Sequence, residues 1–68
     1  MPTLSGDVDL VLEHLPQDGV AVVAQLVVER CGLSRRRAWA AILSLVTSAL
    51  VRAEPGPAAT TLLRRRPS

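Results

Sequence analysis

The feature that most limits the possible folds of this 68-residue chain is a short turn in its middle, Gly32-Leu33-Ser34. The turn joins two segments with helical periodicity. Glycine commonly follows the last turn of a helix, and serine is a preferred residue at the start of one. We therefore predict helices over residues 23–31 and 35–49, held close together by their short connection. The second helix carries one apolar face at helical spacing: Ala38, Ala41, Ile42, Leu45 and Ala49.

The segments outside this helical pair predict one more helix and a hairpin. Apolar residues at i, i+3, i+4 and i+7 indicate a first helix over residues 7–15, and Pro16 ends it. Residues 50–53 and 60–64 read as two strands. Between them, residues 54–59 contain two prolines around a glycine, which excludes regular structure there.

The whole chain is long enough for a single domain with a compact core. We expect a mostly α fold with a small antiparallel β-hairpin, and a short extended piece at residues 19–22 before the second helix. Residues 1–64 form the predicted domain, and residues 65–68 form a flexible tail. Because Trp39 is the only aromatic residue, the core must consist of aliphatic side chains.

The order of these elements resembles the winged helix-turn-helix superfamily, in which the hairpin is called the wing. The Gly32-Leu33-Ser34 turn, the 35–49 helix and the exit Ala49-Leu50-Val51 carry the resemblance, although the family prefers glycine where Ala49 stands. Within the superfamily, Leu15-Pro16-Gln17-Asp18-Gly19 and the same exit resemble the C-terminal winged helix of the DNA-processing protein A family of bacterial recombination mediators. The resemblance implies three helices plus a wing, and a function in binding.

Catalytic and metal-binding functions find little support. Cys31 and His14 are the single cysteine and the single histidine, which excludes an internal disulfide and the four-ligand site of structural zinc. No serine lies in a nucleophile motif, and no glycine-rich phosphate loop occurs. Asp7 and Asp9 are better explained as residues near a helix start than as a metal pair. We predict no enzyme activity, cofactor, metal or small-molecule substrate.

Arginine supplies every basic side chain apart from histidine, and the arginines cluster in the second half of the chain. Residues 1–34 contain five carboxylates and one arginine, whereas residues 35–68 contain seven arginines and one carboxylate. GC-rich coding favours arginine over lysine, but it does not explain the clustering. The forked guanidinium group suits contacts to phosphate or carboxylate.

Three of these arginines, Arg35, Arg36 and Arg37, lie in the predicted first turn of the third helix. In a helix-turn-helix this turn approaches nucleic acid. Cations at a helix start oppose the macrodipole, which favours a role outside the helix itself. Arg52 on the first strand and Arg64 on the second would extend the positive surface. Two interpretations account for the run of three arginines: a surface that binds phosphates, or a charged face that is only solvated. We adopt the first and predict that Arg35, Arg36, Arg37, Arg52 and Arg64 contact DNA.

The same helix carries apolar residues on its predicted outer side. Trp39, Leu43 and Val46 lie at i, i+4 and i+7, where a base-reading helix would carry polar side chains. An exposed ridge of this kind is typical of a protein contact, unless the helix is rotated or the hairpin covers it. Leu26 on the second helix is another candidate for exposure.

Two functions therefore remain open from the sequence. The first is non-specific DNA binding through the arginines of the third helix and wing. The alternative is a protein contact or self-association through Trp39, Leu43, Val46 and Leu26. No stretch approaches the roughly 20 apolar residues that span a bilayer, so we predict no membrane partner. The unpaired thiol of Cys31 favours an intracellular location.

Overall fold

The computed structural model describes residues 4–66, which form three helices and a three-stranded antiparallel sheet. Among these residues, no helix is both long enough and apolar enough to cross a membrane. A tight turn lies between the last two strands. In chain order the elements are α1 (Leu4–Glu13), β1 (Val22–Val23), α2 (Ala24–Arg30), α3 (Arg35–Thr47), β2 (Val51–Pro55), the hairpin turn (Pro57–Ala59) and β3 (Thr61–Arg65).

The sheet is larger than the predicted hairpin. β3 lies in the centre, with β2 on one side and the two-residue β1 on the other, and both neighbours are antiparallel to it. Leu63 of β3 pairs with Ala53 on one side and with Val22 on the other, and its side chain is fully buried. The extended piece expected before α2 is thus a third strand, which ties the start of α2 to the sheet.

An aliphatic core lies between the helices and the sheet, and α1 packs against α3. Leu45 at its centre is 1% exposed, and the predicted apolar face of α3 is buried except for Ala49, which is exposed. Burial of aliphatic surface supplies most of the stabilisation of a domain this small. The buried residues are Val11, Leu15, Ala24, Val27, Val28, Cys31, Ala38, Ala41, Ile42, Leu45, Val51 and Leu63.

Helix α3 ends before Ala49, which explains that exposure. Ala49 has a φ of 64°, in the left-handed region that glycine adopts more easily. Its N–H donates to the carbonyl of Val46 at 3.0 Å, and the N–H of Leu50 donates to the carbonyl of Leu45 at 3.1 Å. These two bonds form a Schellman motif. The chain therefore makes the turn that glycine would favour with an alanine in its place.

Two segments expected to be irregular are ordered. Glu54 and Pro55 belong to β2, which is an edge strand and so tolerates a proline. Residues 65 and 66, predicted to lie in a flexible tail, continue the sheet: Arg65 is in β3, and the N–H of Arg66 donates to the carbonyl of Leu50 at 3.0 Å. The rest of that predicted tail, residues 67–68, lies outside the described residues.

Candidate nucleic-acid interface

The first turn of α3 carries the three consecutive arginines. Helix α3 begins at Arg35 because Ser34, in extended conformation, accepts a hydrogen bond from the N–H of Arg37 through its side chain at 3.2 Å. Consecutive helical residues point about 100° apart, so the three side chains leave the helix in different directions. They consequently have different surroundings.

Arg37 points toward α1 and pairs with Asp7. Its Nε and Nη2 atoms donate to the two carboxylate oxygens of Asp7 at 3.0 Å and 2.6 Å. The Asp7 side chain is only 6% exposed, whereas that of Arg37 is 57% exposed. The hydrogen bond to Asp7 and the charge of that carboxylate raise the pKa of Arg37 above its usual value. This forked pair satisfies a buried carboxylate and neutralises one of the three arginines.

Arg35 and Arg36 are exposed, and within residues 4–66 neither forms an ion pair with a carboxylate. Arg36 shares the outward face of α3 with Ala40, Leu43 and Thr47, all of which are exposed. The macrodipole of α3 adds a partial positive charge at this end of the helix. The first turn of α3 is therefore a positively charged surface whose two outer cations are available to a partner.

The hairpin also contains arginines that are engaged within the fold and arginines that remain on the surface. Arg64 donates to the carbonyl of Gly19 at 2.7 Å and lies 3.4 Å from a carboxylate oxygen of Glu54. Arg65 donates to the carbonyls of Leu15 and Leu12, at the end of α1. Both side chains thus fasten the sheet to the segment that follows α1, which is a structural role.

Arg52 and Arg66 remain on the surface. The side chain of Arg52 is 69% exposed, and its Nε atom lies 3.4 Å from a carboxylate oxygen of Glu54. Exposed ion pairs of this length contribute little to stability and are easily exchanged for another anion. Among the five arginines predicted to contact DNA, Arg35, Arg36 and Arg52 are accessible, while Arg37 and Arg64 are engaged within the fold.

The predicted apolar ridge on α3 is only partly present. Leu43 is 66% exposed and Trp39 is 37% exposed, but Val46 is half-buried and packs against the core. Val46 is not exposed as predicted, because it lies four residues after Ile42 and next to Leu45, at the edge of the buried face of α3. Leu26 of α2 is 40% exposed.

Trp39 also lines a groove, called the Trp39 groove below, with a volume of about 290 Å³. One wall is the junction of β1 and α2, residues 23–25, and another is the end of the hairpin turn, residues 59–61. Ala58 and Ala59 in that turn have φ values of 56° and 59°. Two successive alanines in the left-handed region are costly, so this wall contains local backbone strain.

Cys31 and His14, the single cysteine and the single histidine, each lie near a backbone carbonyl a few residues earlier in the chain. Within residues 4–66, no three residues of the types His, Cys, Asp and Glu are grouped so that they could hold a metal ion. The thiol of Cys31 is buried and lies 3.6 Å from the carbonyl of Val28. The exposed ring of His14 lies 2.8 Å from the carbonyl of Leu10, so its Nδ1 atom is engaged on its own helix.

Sequence reasoning missed the partners of the arginines. Asp7 and Arg37 are 30 residues apart, and no local spacing rule connects them. Arg65 donates to backbone carbonyls, and because every residue has one, the residue types in the sequence do not indicate this contact. Comparison of the chain with protein-family models, with curated protein sequences and with solved structures found no match.

Proposed function

We propose that this chain is a winged-helix module that binds nucleic acid through the first turn of α3. The element order supports this: a helix, a short strand, two helices joined by a tight turn, and a hairpin whose second strand pairs with the short strand. The sequence resemblance to the winged helix-turn-helix superfamily, and within it to the DNA-processing protein A family, is in accord with the proposal.

The observation that carries the proposal is the state of the three arginines at the start of α3. Arg37 is neutralised by Asp7, whereas Arg35 and Arg36 have no carboxylate partner in residues 4–66. Cations at this end of a helix are locally unfavourable, so an external anion would stabilise them. Backbone phosphates of nucleic acid supply such anions, and arginine binds them with forked hydrogen bonds.

Arg52 on the hairpin is the third accessible arginine and extends the proposed surface. Three phosphate contacts would give a log–log slope of affinity against salt of about −2.7 on duplex DNA, because each contact releases counterions. The outward face of α3 offers Ala40, Leu43 and Thr47, which provide little hydrogen-bonding capacity for reading bases. We propose binding with little sequence preference and no catalytic step, inside the cell, where the reduced thiol of Cys31 is also stable.

The test is a titration of fluorescent duplex DNA at several salt concentrations. We expect weak binding that depends steeply on salt, and the slope should fall by about 1 in Arg35→Ala and in Arg36→Ala. Arg30→Ala is the matched control, since Arg30 is an exposed arginine at the end of α2, outside the proposed surface. Absence of binding at low salt, or an equal effect of Arg30→Ala, would refute the proposal.

A second candidate function is a protein contact, favoured by the exposure of Leu43. An apolar side chain that is 66% exposed at the centre of the outward face of α3 is typical of an interface. Trp39 and Leu26 would flank the contact. Sedimentation of the wild type over a range of concentrations tests self-association, and Leu43→Ser should abolish any dimer that forms through this face.

A further inference from the structure

We propose that the Trp39 groove binds one unstacked nucleobase, so that the module binds single-stranded nucleic acid by stacking in addition to phosphate contacts. This inference rests on the proposed function, because Arg35 and Arg36 must hold the phosphate next to that base. It goes further by assigning a ligand to the groove and a role to the single aromatic residue of the chain.

The Trp39 side chain is suited to stacking. It is 37% exposed, so part of the indole remains available, while the rest is supported by the fold. Every nucleobase has a flat face that stacks on an aromatic ring, and single-strand-binding proteins use such platforms together with a basic groove. The groove has a volume of about 290 Å³, which gives a flat group room to lie against the ring.

Three polar side chains line the groove, those of Gln25, Thr60 and Thr61, and the first two are already engaged. The amide of Gln25 donates to a carboxylate oxygen of Glu29 at 3.1 Å, and the hydroxyl of Thr60 donates to the carbonyl of Pro57 at 2.6 Å. They are therefore poorly placed to read the hydrogen-bonding edge of a base. Recognition in this groove would depend on stacking and would tolerate any base.

The position of Arg35 supplies the charge complementarity. Arg35 and Trp39 are four residues apart on α3, so they are neighbours on one face, with Cβ atoms about 5–6 Å apart. The distance is comparable to the spacing between a base and the phosphate of its own nucleotide. A nucleotide seated with its base on Trp39 would place its phosphate beside Arg35 or Arg36, which have no carboxylate partner in the described residues.

The combination of an exposed indole and nearby cations favours a nucleobase, rather than an apolar side chain of a protein, as the occupant of the Trp39 groove. A protein partner would require an apolar surface around the indole, whereas the helix turn next to Trp39 carries two exposed cations. The hairpin wall of the groove contains alanine and threonine, whose small side chains leave the indole accessible. Backbone strain at Ala58 and Ala59 is also of the kind found at binding sites.

The experiment compares two short oligonucleotides of equal length, one of thymidines and one of abasic sites, binding to wild type and to Trp39→Leu. Both oligonucleotides carry the same phosphates, so the difference in affinity measures the bases alone. We expect the wild type to bind the thymidine oligonucleotide about 5- to 150-fold more tightly than the abasic one, and its tryptophan fluorescence to be quenched. Trp39→Leu keeps an apolar side chain but should lose this difference, whereas Trp39→Phe should retain most of it.

The outcomes separate this inference from the proposed function. Equal affinity of the wild type for the two oligonucleotides would overturn the base site while leaving phosphate binding intact. Failure to bind either oligonucleotide or duplex DNA at low salt would overturn both. A blue shift of tryptophan fluorescence that grows with protein concentration in the absence of DNA would assign the groove to a second copy of the chain and overturn the proposal. Circular dichroism of each variant establishes that it is folded.

Discussion

Replacement of Ala49 by glycine should stabilise the protein. Ala49 closes α3 with a φ of 64°, where the Cβ atom of an L-residue costs about 1–2 kcal/mol. Glycine removes this cost. It also makes the unfolded chain more flexible, which lowers the free energy of unfolding by about 0.4–1 kcal/mol. The backbone hydrogen bonds of the Schellman motif do not involve the side chain and persist. We expect a net gain of about 0.5–1 kcal/mol in the free energy of unfolding, or about 2–8 °C in Tm.

Urea unfolding followed by far-ultraviolet circular dichroism measures this change, and Ala40→Gly is the matched control. Ala40 is an exposed residue in the interior of the same helix, where the identical substitution should lower the free energy of unfolding by about 1 kcal/mol. The two variants should therefore move in opposite directions. A loss of stability in Ala49→Gly would show that the left-handed turn at the end of α3 is not the conformation of the folded protein.

Three other substitutions test the core and the hairpin. Leu45→Asp should unfold the domain, because it places a charge at a site that is 1% exposed. A chain of this size is stabilised by only about 3–10 kcal/mol, which is too little to accommodate that charge. A cooperative thermal transition of this variant would contradict the prediction. Gly56→Ala should lose about 1–3 kcal/mol in urea unfolding, because the added Cβ would lie 2.6 Å from the hydroxyl of Thr60 and 2.9 Å from Leu62. Cys31→Ser should leave DNA affinity unchanged in a titration, since the thiol is buried beneath the surface.

Periodicity explains which parts of the fold could be predicted from the sequence. The helical repeat of apolar residues in α3 identified Ala38, Ala41, Ile42 and Leu45 as one face, and all four are buried because burial follows the 3.6-residue period. A strand of two residues has no measurable period, so β1 was expected only as an extended piece. Its pairing with β3 depends on residues about 40 positions later in the chain.

The positions of the helix ends and the arginine contacts depend on tertiary structure. The predicted face of α3 wrongly included Ala49, since the helix pattern continues beyond the residue where the backbone turns. Asp7 and Arg37 meet only because α1 packs against α3. The same applies to Arg64 and Arg65, whose carbonyl partners lie in the segment around the end of α1. An arginine run therefore reveals positive charge in the sequence, but not which charges remain available after folding.

The most direct test of the central proposal is an NMR titration that observes each arginine Nε–H group separately as duplex DNA is added at low salt. We expect the largest changes at Arg35, Arg36 and Arg52, which are accessible. The Nε–H of Arg37 should change little, because it already donates to Asp7 at 3.0 Å. Alanine substitution of each arginine assigns its signal. Changes concentrated at Arg30, or an absence of change at Arg35 and Arg36 while DNA binds, would contradict the proposal that the first turn of α3 holds the phosphates.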